Sequence, residues 1–337
     1  MSGNGDQRLG PGTMTTSGTG ARTPPAPLRP GDNGAGLRPV AGRATPQSYY
    51  GKPIIAEPVW SWEIPLYFFT GGLGGASAML AAGADLTGRT TLARRAWLCA
   101  LAGVGVSPPL LISDLGRPAR FLNMLRMVKV TSPMSMGTWL LLGTSGATAA
   151  ATANNLFGLL GPAGRIAKPV AGALGGMLTT YTAVLISDTA VPVWHEARRE
   201  LPFLFAASAA ASAGAAATLT TPSRHAAPAR LLAAGGAAAS VGVMQLMEHR
   251  LGEVGEPYSK GTPGILGRAA EACAACGAAA VAFGGRRRPA VARAGAGLLL
   301  AGAVLERWSV FRAGFASARD PKYTVGPQRA RADARAG

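Results

Sequence analysis

From Trp60 onward the chain alternates long apolar stretches with short polar ones. Eight stretches of roughly 18–22 residues can be read, the length a helix needs to cross ~30 Å of hydrocarbon. They run over Glu63–Ala84, Leu92–Ser113, Met134–Ala153, Pro169–Ser187, Leu201–Leu219, Leu231–Met247, Leu266–Phe283 and Pro289–Val310. The first four are the clearest. The fifth and seventh are so rich in alanine, which is nearly neutral towards lipid, that they must rely on neighbouring helices for stability. Their small residues let backbones approach closely. The pattern predicts an all-α polytopic membrane protein of about eight transmembrane helices. The membrane domain occupies residues 51–315. A Gly/Pro/Arg-rich segment without apolar periodicity, read as a disordered tail, occupies 1–50. A basic polar tail occupies 316–337. No signal-peptide-like apolar run comes before Trp60.

Composition sharpens this picture. Only 15% of residues are charged against 48% hydrophobic, whereas a soluble domain carries about 25% charged residues. The net charge is +17, yet the Lys and Arg sit in clusters between apolar runs and not along one solvated face. A nucleic-acid partner is therefore not expected, and membrane lipids are. Three cysteines and three histidines are too few for a disulfide framework or a self-contained four-Cys iron–sulfur cluster, and leave little room for haem.

With eight spans both termini share one side. The loops on the opposite side are short and basic: Arg89, Arg94 and Arg95; Arg165 and Lys168; Arg224 and Arg230; Arg286, Arg287 and Arg288, with Asp85 the only acid among them. Short basic loops fit a cytoplasmic face, which puts the termini and long loops outside.

The polar residues that could carry chemistry gather at the terminus-side helix ends. Glu63 and Tyr67 are four apart and share a face of span 1. Asp114 and Arg117 close span 2; they are read either as redox-site residues or as a pair that fixes the loop. Tyr181 and Asp188 are seven apart on span 4, and His195 follows, a side chain able to titrate near neutral pH. Leu111-Ile112-Ser113-Asp114 is echoed by Leu185-Ile186-Ser187-Asp188, each followed by a proline, Pro118 and Pro192. The two matched carboxylates are expected to flank one site. Asp188, with no basic residue close by in sequence, is expected to be its proton carrier, and Asp114 its more structural member. Pro108 and Pro109 predict a kink in span 2. Arg117, Arg120 and Arg126, interleaved with Phe121, Leu122, Met124, Leu125 and Met127, predict an amphipathic interfacial helix. Cys273 and Cys276 form a C-x-x-C inside an apolar helix and read as packing residues. Gly71–Gly75 reads as a close helix contact. Glu271 and Glu306 are candidates for extending a proton path.

Here a resemblance becomes specific. The segment 60–77, WSWEIPLYFFTGGLGGAS, looks like the first helix of the NrfD/PsrC family, the membrane subunits of polysulfide-reductase-like complexes. SDLGRPARFLNMLR and TSPMSMGTW resemble that family's region after the second helix, and TAVPVWHEAR at 189–198 its region after the fourth. The resemblance covers about residues 48–200. It implies two four-helix bundles and a haem-free anchor that exchanges electrons with quinone or menaquinone. It also implies docking to a four-cluster ferredoxin-like iron–sulfur subunit, which serves a molybdopterin catalytic subunit. Such a chain is an oxidoreductase subunit, not catalytic alone. On this reading Asp188, Asp114 and His195 carry protons, while Glu63, Tyr67, Arg117 and Tyr181 contact the quinone. The rival readings are a secondary transporter or proton translocator, whose site would lie near the bilayer midplane, and a passive membrane anchor.

Overall fold

The computed structural model describes residues 54–117, 119–285 and 287–336. The tail predicted over residues 1–50, Pro118 and Arg286 lie outside the described residues. Among those described there are eight long helices: α1 (Glu63–Leu86), α2 (Thr90–Asp114), α3 (Pro133–Phe157), α4 (Gly161–Ser187), α5 (Leu201–Thr220), α6 (Ala227–Leu251), α7 (Gly261–Gly284) and α8 (Pro289–Arg319), and no strand. Seven are long and apolar enough to cross a membrane. The exception is α3, whose sequence contains Thr138, Thr144, Ser145, Thr148, Thr152, Asn154 and Asn155. Thr138, Thr144, Thr148 and Thr152 are buried among neighbouring helices. Thus α3 has the length of its neighbours with a more polar, inward-facing composition.

Neighbouring helices define two four-helix bundles. In the first, α1 packs on α2 and α4, and α3 closes the ring between them; in the second, α5 and α6 pack beside α7 and α8. Helix α1 also touches α5 and α8 and so joins the bundles. Its glycines explain how. A Cβ on Gly74 would collide with the backbone of Gly103 and Val104 in α2; one on Gly75 would meet the Gly175 carbonyl in α4; one on Gly72 would press on Ala209 in α5. Three nearly consecutive glycines therefore face three different partners, closer than a dimer-type GxxxG seam alone would require.

Pro108 and Pro109 both lie inside α2. Pro108 has no N–H for the Val104 carbonyl, and the Ser145 hydroxyl of α3 donates to that carbonyl at 3.4 Å. A neighbouring helix thus satisfies the group that proline frees, as hydrocarbon surroundings demand. The predicted amphipathic helix is reduced to six residues, Arg120–Leu125. Beyond it the chain is held in non-helical form by Ser135 Oγ and Trp139 Nε1, which both donate to the Met127 carbonyl, while Ser132 caps the start of α3.

At the end of the first bundle opposite the termini, Asp85 gathers Trp97 Nε1 (2.8 Å), Asn155 Nδ2 (3.2 Å) and Lys168 Nζ (3.2 Å) from α2, α3 and α4. The core there is almost all alanine. At the terminus side it turns aromatic, with Tyr67, Phe68, Trp194, Phe205, Tyr258 and Phe311 buried together. Helix α8 continues to Arg319, and a further helix spans Lys322–Ala336.

Candidate functional site

The terminus-side end of α1 is built around Ser61. Its backbone N–H donates to Asp114 Oδ1 at 3.1 Å, and its hydroxyl lies 2.8 Å from the same oxygen. The hydroxyl also contacts Glu63 Oε2. A hydroxyl has one hydrogen and two lone pairs. With a proton on either carboxyl, the chain Glu63–Ser61–Asp114 is hydrogen-bonded throughout, one carboxyl donating to Ser61 and Ser61 donating to the other. Ser61 therefore brings together two of the residues read as candidates from the sequence, and the residue that joins them was not among those candidates.

Arg117 is exposed and makes no ion pair with Asp114. Of the two readings of Asp114 and Arg117, the loop-fixing pair is not formed: the partner of Asp114 is Ser61, because the turn after α2 carries Arg117 outward while the end of α2 faces the start of α1.

Asp188 caps α4 and is exposed. His195, also at the surface, places Nδ1 3.3 Å from the Ser187 carbonyl. A carbonyl only accepts, so this contact is a hydrogen bond in the tautomer that carries its hydrogen on Nδ1. Asp188 and His195 are therefore neighbours through Ser187. Tyr67 and Tyr181 lie deeper. Tyr67 is buried in the aromatic core, against which Tyr181 packs. The Tyr181 hydroxyl donates to the Pro133 carbonyl at the start of α3, and Gly137 leaves the space its ring occupies.

Two tryptophans connect these groups. Trp60, beside Ser61, stacks on Trp194, beside His195, with centroids 5.9 Å apart and planes inclined by 25°. Trp194 is fixed in turn: its Nε1 donates to the Val310 carbonyl at 2.8 Å, and its ring fills the space over Gly314 of α8.

Next to this stack lies a cleft of about 600 Å³, lined by Trp60, Ser61, Trp62, Trp308, Phe311 and Phe315, with Lys260, Arg312 and Arg319 also on its walls. Its volume falls in the usual range for small-molecule sites, with aromatic rings on one part of its wall and charged and polar side chains on the rest. The sequence pointed to the ends of spans 1, 2 and 4. The cleft instead opens between the start of α1 and the end of α8, with no residue of α2 or α4 in its lining. Arg312 and Phe315 went unrecognised because span 8 was ended at Val310, and Trp308, inside that span, read only as one more apolar position. Their spacing of three and four on one helix face was the available signal.

Arg319 forks onto Glu57 at 2.8 and 2.9 Å and ties the segment before α1 to the end of α8. That hydrogen-bonded guanidinium, more than its charge alone, holds the Glu57 carboxyl below the ordinary carboxylate range. Arg250 forks onto Glu200 at 2.5 and 2.6 Å and clasps the ends of α6 and α5. Among the described residues no cluster of three or more His, Cys, Asp or Glu is arranged to hold a metal.

Two bundles of long apolar helices, with a polar and aromatic site confined to one end, define a multi-pass membrane subunit. Residues 53–229, a little over half of the chain, match the family described as polysulphide reductase, NrfD, and the chain belongs to that family. The match takes in α1 to α5 and ends in the first turn of α6. No curated protein matches the chain.

Proposed function

We propose that the protein is a haem-free quinone- or quinol-reactive anchor. It exchanges electrons between the membrane quinone pool and a docked iron–sulfur subunit of a molybdopterin-type oxidoreductase. The observation that carries this reading is Ser61, which lines an aromatic cleft and at the same time holds Glu63 and Asp114. A quinone supplies a two-electron, two-proton carrier; the chain's own residues supply what such a head group requires. Trp60, Trp308 and Phe315 offer flat apolar walls. Ser61 presents a hydroxyl at the edge, and the two carboxyls behind it take up or return a proton. Asp188 and His195, exposed near Trp194 in sequence, stand where the site meets water. Tyr67 and Tyr181 belong to the aromatic core and not to the cleft lining. Arg117 lies outside this arrangement and belongs with the docking face.

That face is the stretch from Arg117 to Val130. Leu122, Met127, Val128 and Val130 are exposed there beside Arg120, Arg126 and Lys129. Exposed apolar residues rimmed by charges fit a partner interface. Site and docking face lie on the terminus side, where the short basic loops at the other end favour an external location.

The test is quinol-analogue-dependent reduction of the assembled complex, with analogue binding measured on the same preparation. Saturable binding that is weakened by Trp60→Ala or Ser61→Ala supports the reading. Normal partner retention without any quinone-analogue binding makes the chain a passive anchor.

A further inference from the structure

A second group of ionisable residues lies deeper than the terminus-side cleft, behind Trp308 on α8, in the bundle that is mostly outside the family match. Glu306 and Arg307 of α8 are buried, 8% and 2% exposed. Roughly 20 Å of helix separates Glu306 from Arg319, and roughly 25 Å separates it from Pro289. It therefore sits deep within the span, where an ionisable side chain is costly and marks function.

Its surroundings suit a group that changes protonation state. Glu306 Oε1 accepts from Arg307 Nη1 at 2.7 Å, and Oε2 lies 2.5 Å from Ser240 Oγ of α6. Ser208 of α5 is a further hydroxyl partner. A hydroxyl can donate to a carboxylate and, after rotating, accept from a carboxylic acid. Arg307 does not depend on Glu306 alone. Its Nη2 donates to the Phe205 carbonyl at 2.9 Å and its guanidinium lies 3.7 Å from the centre of the Phe205 ring, a cation–π arrangement. Neutralising Glu306 thus leaves the arginine held. Arg307 Nε is a buried donor with no partner among the described residues, a place for an internal water.

Access to Glu306 is one-sided. Glu271 of α7 follows Ala270, whose carbonyl a Cβ on Gly302, one turn from Glu306 on α8, would meet at 3.1 Å; Glu248 stands eight residues beyond Ser240 on α6, toward its end, with Arg268 of α7 among the charges that act on it. These are the charged groups that face the path from α6 and α7; α5 and α1 contribute Ser208 and Gly72 and no charge. Toward the other end the bundle core is Ala211, Ala215, Ala233, Ala237, Val281 and Ala296, which offers a proton nothing.

We infer that Glu306 is an internal proton-binding site, filled from the terminus side through Glu248 and Glu271. Water at the Leu251 end gives a proton to the Glu248 carboxylate, and intervening water molecules, each taking one proton as it gives up another, carry one on to Glu271 and then one to Glu306. At each step the donor's O–H bond breaks as the acceptor's forms, and the donor is refilled from the step before. The net change is one proton moved from water to the Glu306 carboxylate.

Infrared spectroscopy of the full-length chain in lipid nanodiscs tests this without reference to quinone chemistry. The expected spectrum contains the carbonyl stretch of a buried protonated carboxyl that grows as pH is lowered. That band is absent in Glu306→Gln, which keeps an acceptor for Ser240 and Arg307. In Glu271→Gln the band remains, but its response to transfer into D₂O slows about a hundredfold, the low end of what a positioned acid–base group contributes. Because Glu271→Gln leaves Glu306 and its partners intact, this comparison holds even should Glu306→Gln fail to fold. A band that survives Glu306→Gln, or no such band at any pH at which the protein stays folded, overturns the inference and leaves a structural ion pair. Unchanged exchange in both Glu271→Gln and Glu248→Gln overturns the route.

Discussion

Trp60 stacks on Trp194, and that contact joins the segment leading into α1 to the turn that follows α4. Ser61 and His195 flank the two rings in sequence, so groups 134 residues apart occupy one end of the molecule. The stack rests on Gly314, where any Cβ would overlap the Trp194 indole. Gly314→Ala is expected to destabilise the protein by about 1–3 kcal/mol, the usual cost of overpacking, and to raise the quinone-analogue dissociation constant as the cleft wall shifts. Thermal unfolding in detergent and an analogue titration on the same sample check both effects. Unchanged stability would show that the ring is free to move.

The crossing of α1 and α4 depends on Gly75 and Gly175, each leaving room for the other's backbone. Gly75→Leu is expected to cost at least about 3 kcal/mol and to abolish monodisperse expression. Gly83, eight residues further along the same helix, has nothing within 4 Å of a built Cβ. Gly83→Leu should express like the parent. Size-exclusion profiles of the two variants side by side decide the matter, and equal behaviour would refute the packing argument.

For the proton-handling residues, Glu63→Gln and Asp114→Asn are each expected to slow quinol-linked turnover about tenfold to a hundredfold, in line with acid–base contributions, while partner retention persists. Asp188→Asn is the informative comparison. A tenfold loss there supports the surface route through Asp188 and His195. Wild-type turnover removes Asp188 from the mechanism and leaves the Ser61 cluster to serve alone.

Leu122→Glu and Met127→Glu are expected to release the iron–sulfur partner without loss of stability, because both side chains are exposed. Co-purification together with thermal unfolding tests this. Retention of the partner in both variants would move the docking face elsewhere.

The Glu57–Arg319 contact carries a pH dependence. The folded-state pKa of Glu57 is depressed by its hydrogen bond to Arg319. Its contribution is therefore complete above the unfolded carboxylate value and lost as pH falls through the lower folded one. Hydrogen exchange at residues 54–60 should be protected at neutral pH and should accelerate in acid. Glu57→Gln should show the faster exchange at neutral pH and lose that acid step. An acid step that persists in Glu57→Gln would assign it to another group.

Much of the architecture was legible in the chain itself. Apolar runs long enough to cross a bilayer can satisfy their backbone only as helices, so eight long helices and their alternating directions follow from composition and spacing; the third, read as one of the clearest apolar runs, is the one not apolar enough to cross by composition. The motifs around Trp60–Ser77 and Asp114–Arg126 carried the family. Helix ends were less legible: span 8 was ended at Val310, but α8 runs to Arg319, because helix continues past the apolar run wherever a neighbour packs on it.

Which polar groups meet was decided only by the tertiary structure. Glu63 and Asp114 were both visible in the sequence as candidates, but hydropathy says nothing of Ser61, a small polar residue whose value lies in standing between two helix ends. Arg117 is close to Asp114 in sequence, yet the turn after α2 directs it away. The Asp85–Lys168 pair, the Arg250–Glu200 clasp and the burial of Arg307 against Phe205 arise the same way. The physical reason is common to all: a single chain's pattern specifies which face of each helix is apolar, whereas partnership across helices depends on crossing depth and rotation. Those are set by where glycines such as Gly74, Gly75 and Gly175 allow two backbones to touch.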